Sequence, residues 1–105
     1  MAGSTIQTRP FDVARHLRSP KDAAAYLSAA LEENDPAAFR RALGDVARAR
    51  SMATVAEASG LGRESLYKAL SPAGNPSFDT VQRVMSALGL TLTVMPSDDA
   101  AAEHG

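Results

Sequence analysis

The sequence predicts an all-α fold, five helices in one domain, with a single strand near the C-terminus over residues 90–95. Three observations lead there. Alanine, the strongest helix former, is the most abundant residue. Helix-start signals recur as Ser19-Pro20, Asp35-Pro36 and Ser77; each offers a capping side chain, and two put proline at the first helical position. Between these signals apolar residues recur at helical spacing, until the alternation LTLTVM takes over.

A chain of 105 residues suits one domain. The expected layout is a flexible arm over residues 1–10, a single domain over 11–95 and a disordered acidic tail over 96–105. In the arm, Thr5 to Thr8 has some β character but is too short for a strand. Phe11 to Leu17 has the apolar residues Phe11, Val13, Ala14 and Leu17 for a helical turn. Ser19 caps the next helix, Pro20 opens it, and Asp22 suits the positive end of its dipole. It runs to about Glu33, with Ala23, Tyr26, Leu27, Ala30 and Leu31 at helical spacing. Asn34-Asp35-Pro36 stops that helix and starts another, to about Arg50. Its buried stripe is Phe39, Ala42, Leu43, Val46 and Ala47, and Arg40, Arg41, Arg48 and Arg50 lie on other faces.

Residues 52–70, MATVAEASGLGRESLYKAL, read as two short helices joined by a tight turn, the layout of a helix-turn-helix. Ala56 is small where the second helix crosses the first. Gly60 stands where the chain turns and a positive φ is easiest for glycine. Leu66 is apolar where the second helix faces the core, and Val55 and Leu61 flank it. That leaves Gly62, Arg63, Glu64, Ser65, Tyr67 and Lys68 at the outward end of the second helix, within reach of base edges or phosphates if it enters a major groove. Two short helices around a glycine occur in many helical proteins. What favours a duplex is the close grouping of Arg, Ser, Tyr and Lys beside the turn.

Ser71-Pro72-Ala73-Gly74-Asn75-Pro76 is a loop by its turn residues. Ser77 caps a helix from Phe78 to about Leu88, with Phe78, Val81, Val84, Met85 and Leu88 inward, and Gly89 ends it. The strand over 90–95 has no second strand in the chain to pair with, and a lone strand leaves its backbone groups unsatisfied. It is expected to pair through Leu90, Thr91, Leu92, Thr93 and Val94 with a strand of another molecule, a second copy or a different protein. The alternative is an extended tail that lays Leu90 and Leu92 on the helices.

The net charge is −1, but it is polarised. Residues 40–68 carry six cations against three acids, a net +3, over the candidate DNA-reading segment. Residues 96–105 carry Asp98, Asp99 and Glu103 with no cation. There is no cysteine, which excludes disulfides and thiolate metal sites and fits a reducing compartment. No apolar run at the N-terminus suits a signal peptide, and none elsewhere approaches a membrane span.

An enzyme finds little footing. His16 and His104 sit in different contexts. Glu32 and Glu33 are adjacent on a helix end and cannot face each other across a cleft. Gly60-Leu61-Gly62 is too short for a phosphate loop, and Ser59, Ser65 and Ser71 have no nearby histidine. No catalytic residue, cofactor or metal is expected. Within the DNA-reading segment, Arg63 is the candidate base reader because Arg makes two hydrogen bonds to guanine. Glu64 either accepts from cytosine or serves the helix N-terminus. Ser65 and Tyr67 contact phosphate or a base edge, although the Tyr67 ring can equally pack on the domain. Lys68 contacts phosphate. Arg50 and Asn75 flank the duplex from neighbouring segments.

The stretches YLSAALEENDPAAF (26–39), ALGDVARARSM (42–52), GLGRESLYKALSPAGNPSFDTV (60–81) and ALGLTL (87–92) resemble the addiction-module antidote proteins, HigA-like antitoxins with a helix-turn-helix of the Cro/C1 repressor type. The likeness covers about residues 11–95, and ESLYKALSPAGNPSFDTV is its most specific phrase. The resemblance implies a five-helix Cro/C1-like domain in a cytoplasmic bacterial antitoxin. Such a protein binds a cognate RelE-like toxin of the HigB type, typically an mRNA-cleaving ribonuclease, and binds operator DNA to repress its own operon. Apart from the resemblance, the small positive footprint over residues 40–68 calls for a homodimer to reach useful affinity. A stand-alone phage-type repressor and an interaction module without DNA binding are the competing functions. The apolar residues Phe11, Val13, Leu17 and Tyr26 are the candidate toxin surface, against simple packing on the core. The family usually has glycine where this chain has Ser51, a change expected to be harmless because serine caps helices. It commonly has a serine or threonine cap where this chain has Gly62, which should weaken the second helix of the motif by a few tenths of a kcal/mol.

Overall fold

The helices begin where the sequence supplies a capping group. In the computed structural model, which describes residues 16–97, α1 spans Pro20–Leu31, α2 Pro36–Arg50, α3 Met52–Ser59, α4 Arg63–Ala69 and α5 Phe78–Ala87. The Asp22 amide donates to Ser19 Oγ at 3.4 Å, Ala37 to Asp35 Oδ1 at 3.0 Å, Thr54 to Ser51 Oγ at 3.3 Å and Thr80 to Ser77 Oγ at 3.1 Å. Each bond satisfies an amide that the first turn leaves orphaned. Of these five helices only α4 starts without such a bond, because its cap is Gly62.

The core lies where these elements converge. Leu43 and Val46 of α2, Val55 of α3, Leu66 of α4 and Val84 of α5 are fully buried, together with Leu88 just past the end of α5. α1 packs on α2, and α3 touches α2, α4 and α5. The small buried residues Ala23, Ala42, Ala47 and Ala56 allow this close approach. Leu17 also belongs to the core, at 3 % exposure.

One arginine ties three segments together. Arg50, the last residue of α2, donates from a single guanidinium nitrogen to the carbonyls of Arg18 at 3.3 Å and Leu88 at 3.2 Å. Arg18 in turn donates from Nε to the Ala49 carbonyl at 3.3 Å.

The turn between α3 and α4 is Gly60-Leu61-Gly62. Gly60 takes φ +78°, as its position predicts. The buried Ser59 hydroxyl donates to the Ala56 carbonyl at 3.2 Å and accepts from the Leu61 amide at 3.3 Å. At the far end of α4, the chain doubles back so closely that a Cβ on Gly74 would collide with the carbonyl oxygens of Lys68 and Ala69.

The expected strand over 90–95 is absent: none of the described residues forms a strand. α5 closes with Gly89 donating to Ser86 O at 3.0 Å and Leu90 donating to Met85 O at 2.9 Å, the paired bonds of a Schellman cap. Leu90 and Leu92 are then half-buried against the core, while Val94 is 100 % exposed. A ladder needs a second segment, and the described chain offers none. The alternation therefore lays two leucines on the helices, the tail arrangement.

Three further expectations are corrected. α1 ends at Leu31 rather than about Glu33, and Leu31 is 48 % exposed. Phe78, expected inward, is 65 % exposed because it opens α5 one turn before the face that meets the core. Ser51 is not a neutral stand-in for glycine, since it is held at φ +125°, a region that disfavours any side chain. The expected arm (1–10), the turn at Phe11, Val13 and Ala14, and the acidic residues of the tail lie outside the described residues.

Candidate nucleic-acid interface

α4 turns one side chain inward and the rest outward. Within it only Leu66 is buried. Arg63, Glu64, Ser65 and Lys68 are exposed, and Tyr67 is 48 % exposed. Among the described residues, none of these five side chains makes a hydrogen bond or an ion pair. A cation that is solvent-facing and uncommitted is free to meet an incoming anion without first breaking an internal bond. Glu64 stands in the first turn, where a negative charge favours the helix dipole. Lys68 stands in the last turn, where a positive charge does the same.

The other candidates are placed differently. Arg50 is half-buried and its guanidinium is engaged by the two carbonyls described above. Asn75 is exposed but lines a groove of about 460 Å3 with Leu31, Phe39, Arg40 and Val81, which contains no residue of α4. Leu17, being buried, leaves no side-chain surface for a partner. Tyr26 is half-buried and donates from its hydroxyl to Asp45 Oδ2 at 2.7 Å. That bond, with burial and the Asp45 charge added, pushes the Tyr26 hydroxyl up to about 12 against the opposing pull of Arg48. Phe11 and Val13 lie outside the described residues.

Beside α4 lies a feature the sequence reading missed. A cleft of about 710 Å3 opens between α1, α2 and the end of α4; its walls include Tyr26, Arg40, Arg41, Arg48, Tyr67 and Ser71. Within it Arg48 pairs with Asp45 at 2.9 Å, so Asp45 is shared between Arg48 and Tyr26. The signal was present in the sequence: Arg41 and Arg48 are seven residues apart, two turns along one face of α2.

A family model described as "probable addiction module antidote protein" matches residues 7–96. The chain belongs to that family. An antidote is by definition the counterpart of a toxin, so membership carries a toxin partner in general terms. A protein of Haemophilus influenzae, described only as uncharacterized, is 48 % identical over 93 residues, covering 89 % of this chain and 96 % of its own. No solved structure matches the antidote chain. Among its described residues, no helix is long and apolar enough to cross a membrane.

Proposed function

We infer that this antidote is a HigA-like antitoxin that neutralises a RelE/HigB-like toxin and represses its own operon. In this reading α3 and α4 form a Cro/C1-type helix-turn-helix, and α4 enters the major groove of the operator. The observation that carries it is the outer face of α4: Arg63, Glu64, Ser65, Tyr67 and Lys68 are exposed and, among the described residues, unpaired, while Leu66 anchors the helix inward. Arg63, at the first position of α4, makes two hydrogen bonds to guanine. Glu64 accepts from cytosine, and Ser65, Tyr67 and Lys68 hold phosphates on either side. Two copies on a palindrome set their α4 helices about 34 Å apart, or a multiple of that.

The test is an equilibrium binding measurement on the DNA upstream of the gene. Arg63→Ala is expected to cost about 1–3 kcal/mol there and to relax the preference at one base pair. A loss equal on all sequences would move Arg63 from base to backbone. Co-purification with the product of the adjacent reading frame tests the toxin half. DNA binding without any such partner would leave a stand-alone repressor.

A further inference from the structure

Arg40, which lines both the cleft beside α4 and the neighbouring groove, has a guanidinium nitrogen that lacks a partner among the described residues. Arg40 Nε is buried and has no hydrogen-bond acceptor among the described residues. Arg41, on the same wall, makes no hydrogen bond or ion pair among them either. A buried donor left unpaired is costly, and native structures seldom leave one so. Two acids share the lining. Asp45 is already taken by Tyr26 at 2.7 Å and Arg48 at 2.9 Å, and Glu33 is the other. Against them stand Arg40, Arg41 and Arg48, so the cleft keeps a positive balance.

Its position selects the ligand. Tyr67 of α4, with Leu70, Ser71 and Pro72 after it, forms one wall. When a short helix lies in a major groove, the sugar-phosphate backbone bounding that groove runs past the helix end. The guanidinium fork fits phosphate oxygens two at a time.

We propose that this cleft is a phosphate-binding site, in which Arg40 and Arg41 hold a backbone phosphate of the duplex that α4 reads, with Arg48 held in place by Asp45. The proposal rests on the DNA-binding reading and extends its footprint from α4 onto α2. It assigns the cleft no sequence preference, because phosphate is the same at every base pair.

The experiment uses the full chain with two duplexes of equal length, one carrying the upstream region and one unrelated, across a salt series. Arg41→Gln and the double variant Arg40→Gln with Arg41→Gln are compared with wild type, with Arg63→Ala, and with Lys21→Gln, an exposed cation in a different groove. The expected result is a loss of about tenfold for Arg41→Gln on both duplexes alike, and a salt slope shallower by about one for each phosphate contact removed. Lys21→Gln should match wild type. Arg41 is exposed, so its variant reports on the site even if the change at the half-buried Arg40 perturbs folding. Wild-type affinity and slope in Arg41→Gln and in a folded double variant, while Arg63→Ala weakens binding, would overturn the cleft and leave the α4 reading standing. Unchanged DNA binding with weakened capture of the adjacent gene product would overturn it in favour of an acidic protein segment. If wild type bound neither duplex, both readings would fall together.

Discussion

At the residue scale the most informative side chain is Ser51. It ends α2 and caps α3 while held at φ +125°. Such a conformation costs a non-glycine residue about 1–3 kcal/mol. Its cap bond to the Thr54 amide recovers little relative to glycine, a few tenths of a kcal/mol. Glycine also carries about 0.5–1 kcal/mol of extra chain entropy to lose on folding. The balance predicts that Ser51→Gly stabilises the protein by about 0.5–1 kcal/mol, read as a higher urea midpoint; a lower midpoint would mean the strain is smaller than the cap is worth. Tyr26 makes a second prediction. Its folded pKa lies above the ordinary 10.0, at about 12, so the fold holds this proton more tightly than the unfolded chain does. The stability from that bond is complete below pH 10.0 and is lost as pH climbs through about 12. The difference in tyrosinate absorbance between wild type and Tyr26→Phe should therefore develop near the upper value. A midpoint at the ordinary value would show that the contact with Asp45 is not made in solution.

At the element scale, the helix starts were legible because they are written in local chemistry. Ser19-Pro20, Asp35-Pro36 and Ser77 each cap where expected, and the glycine at residue 60 takes the positive φ its place demands. What could not be read locally was which apolar residues meet a neighbour. Leu31 and Phe78 fit the helical period yet stay exposed, since period fixes a face and only tertiary packing fills it. The alternation over 90–95 failed for a related reason: it satisfies a strand's side-chain pattern equally well when the leucines rest on helices. The cleft with Arg40 and Arg41 escaped notice because α1 and the end of α4, which complete it, are distant in sequence. Gly74 offers a prediction at this scale. Its loop lies against the final carbonyls of α4, so Gly74→Ala must push that end of the helix outward. The expected cost is about 1–3 kcal/mol in denaturant unfolding, with Gly74→Ala less stable than Gly62→Ala, whose added Cβ meets nothing.

At the scale of the whole molecule, Arg50 joins the chain before α1, the end of α2 and the end of α5 through the carbonyls of Arg18 and Leu88. Hydrogen bonds from a charged donor are worth about 1.5–3 kcal/mol. Arg50→Ala should lower unfolding stability by about that amount, and any fall in DNA affinity should follow the fraction folded. Full stability with weakened DNA binding would instead place Arg50 at the duplex. The length of α4 has a consequence of its own. Seven residues make a rod of about 10 Å, too short to persist as a helix by itself. One leucine seated in the core is what keeps its polar fringe in register. If α4 reads DNA as proposed, repression would thus rise and fall with the integrity of the globule: a protease or a heat pulse that unseats Leu66 would erase the address-reading surface in the same event.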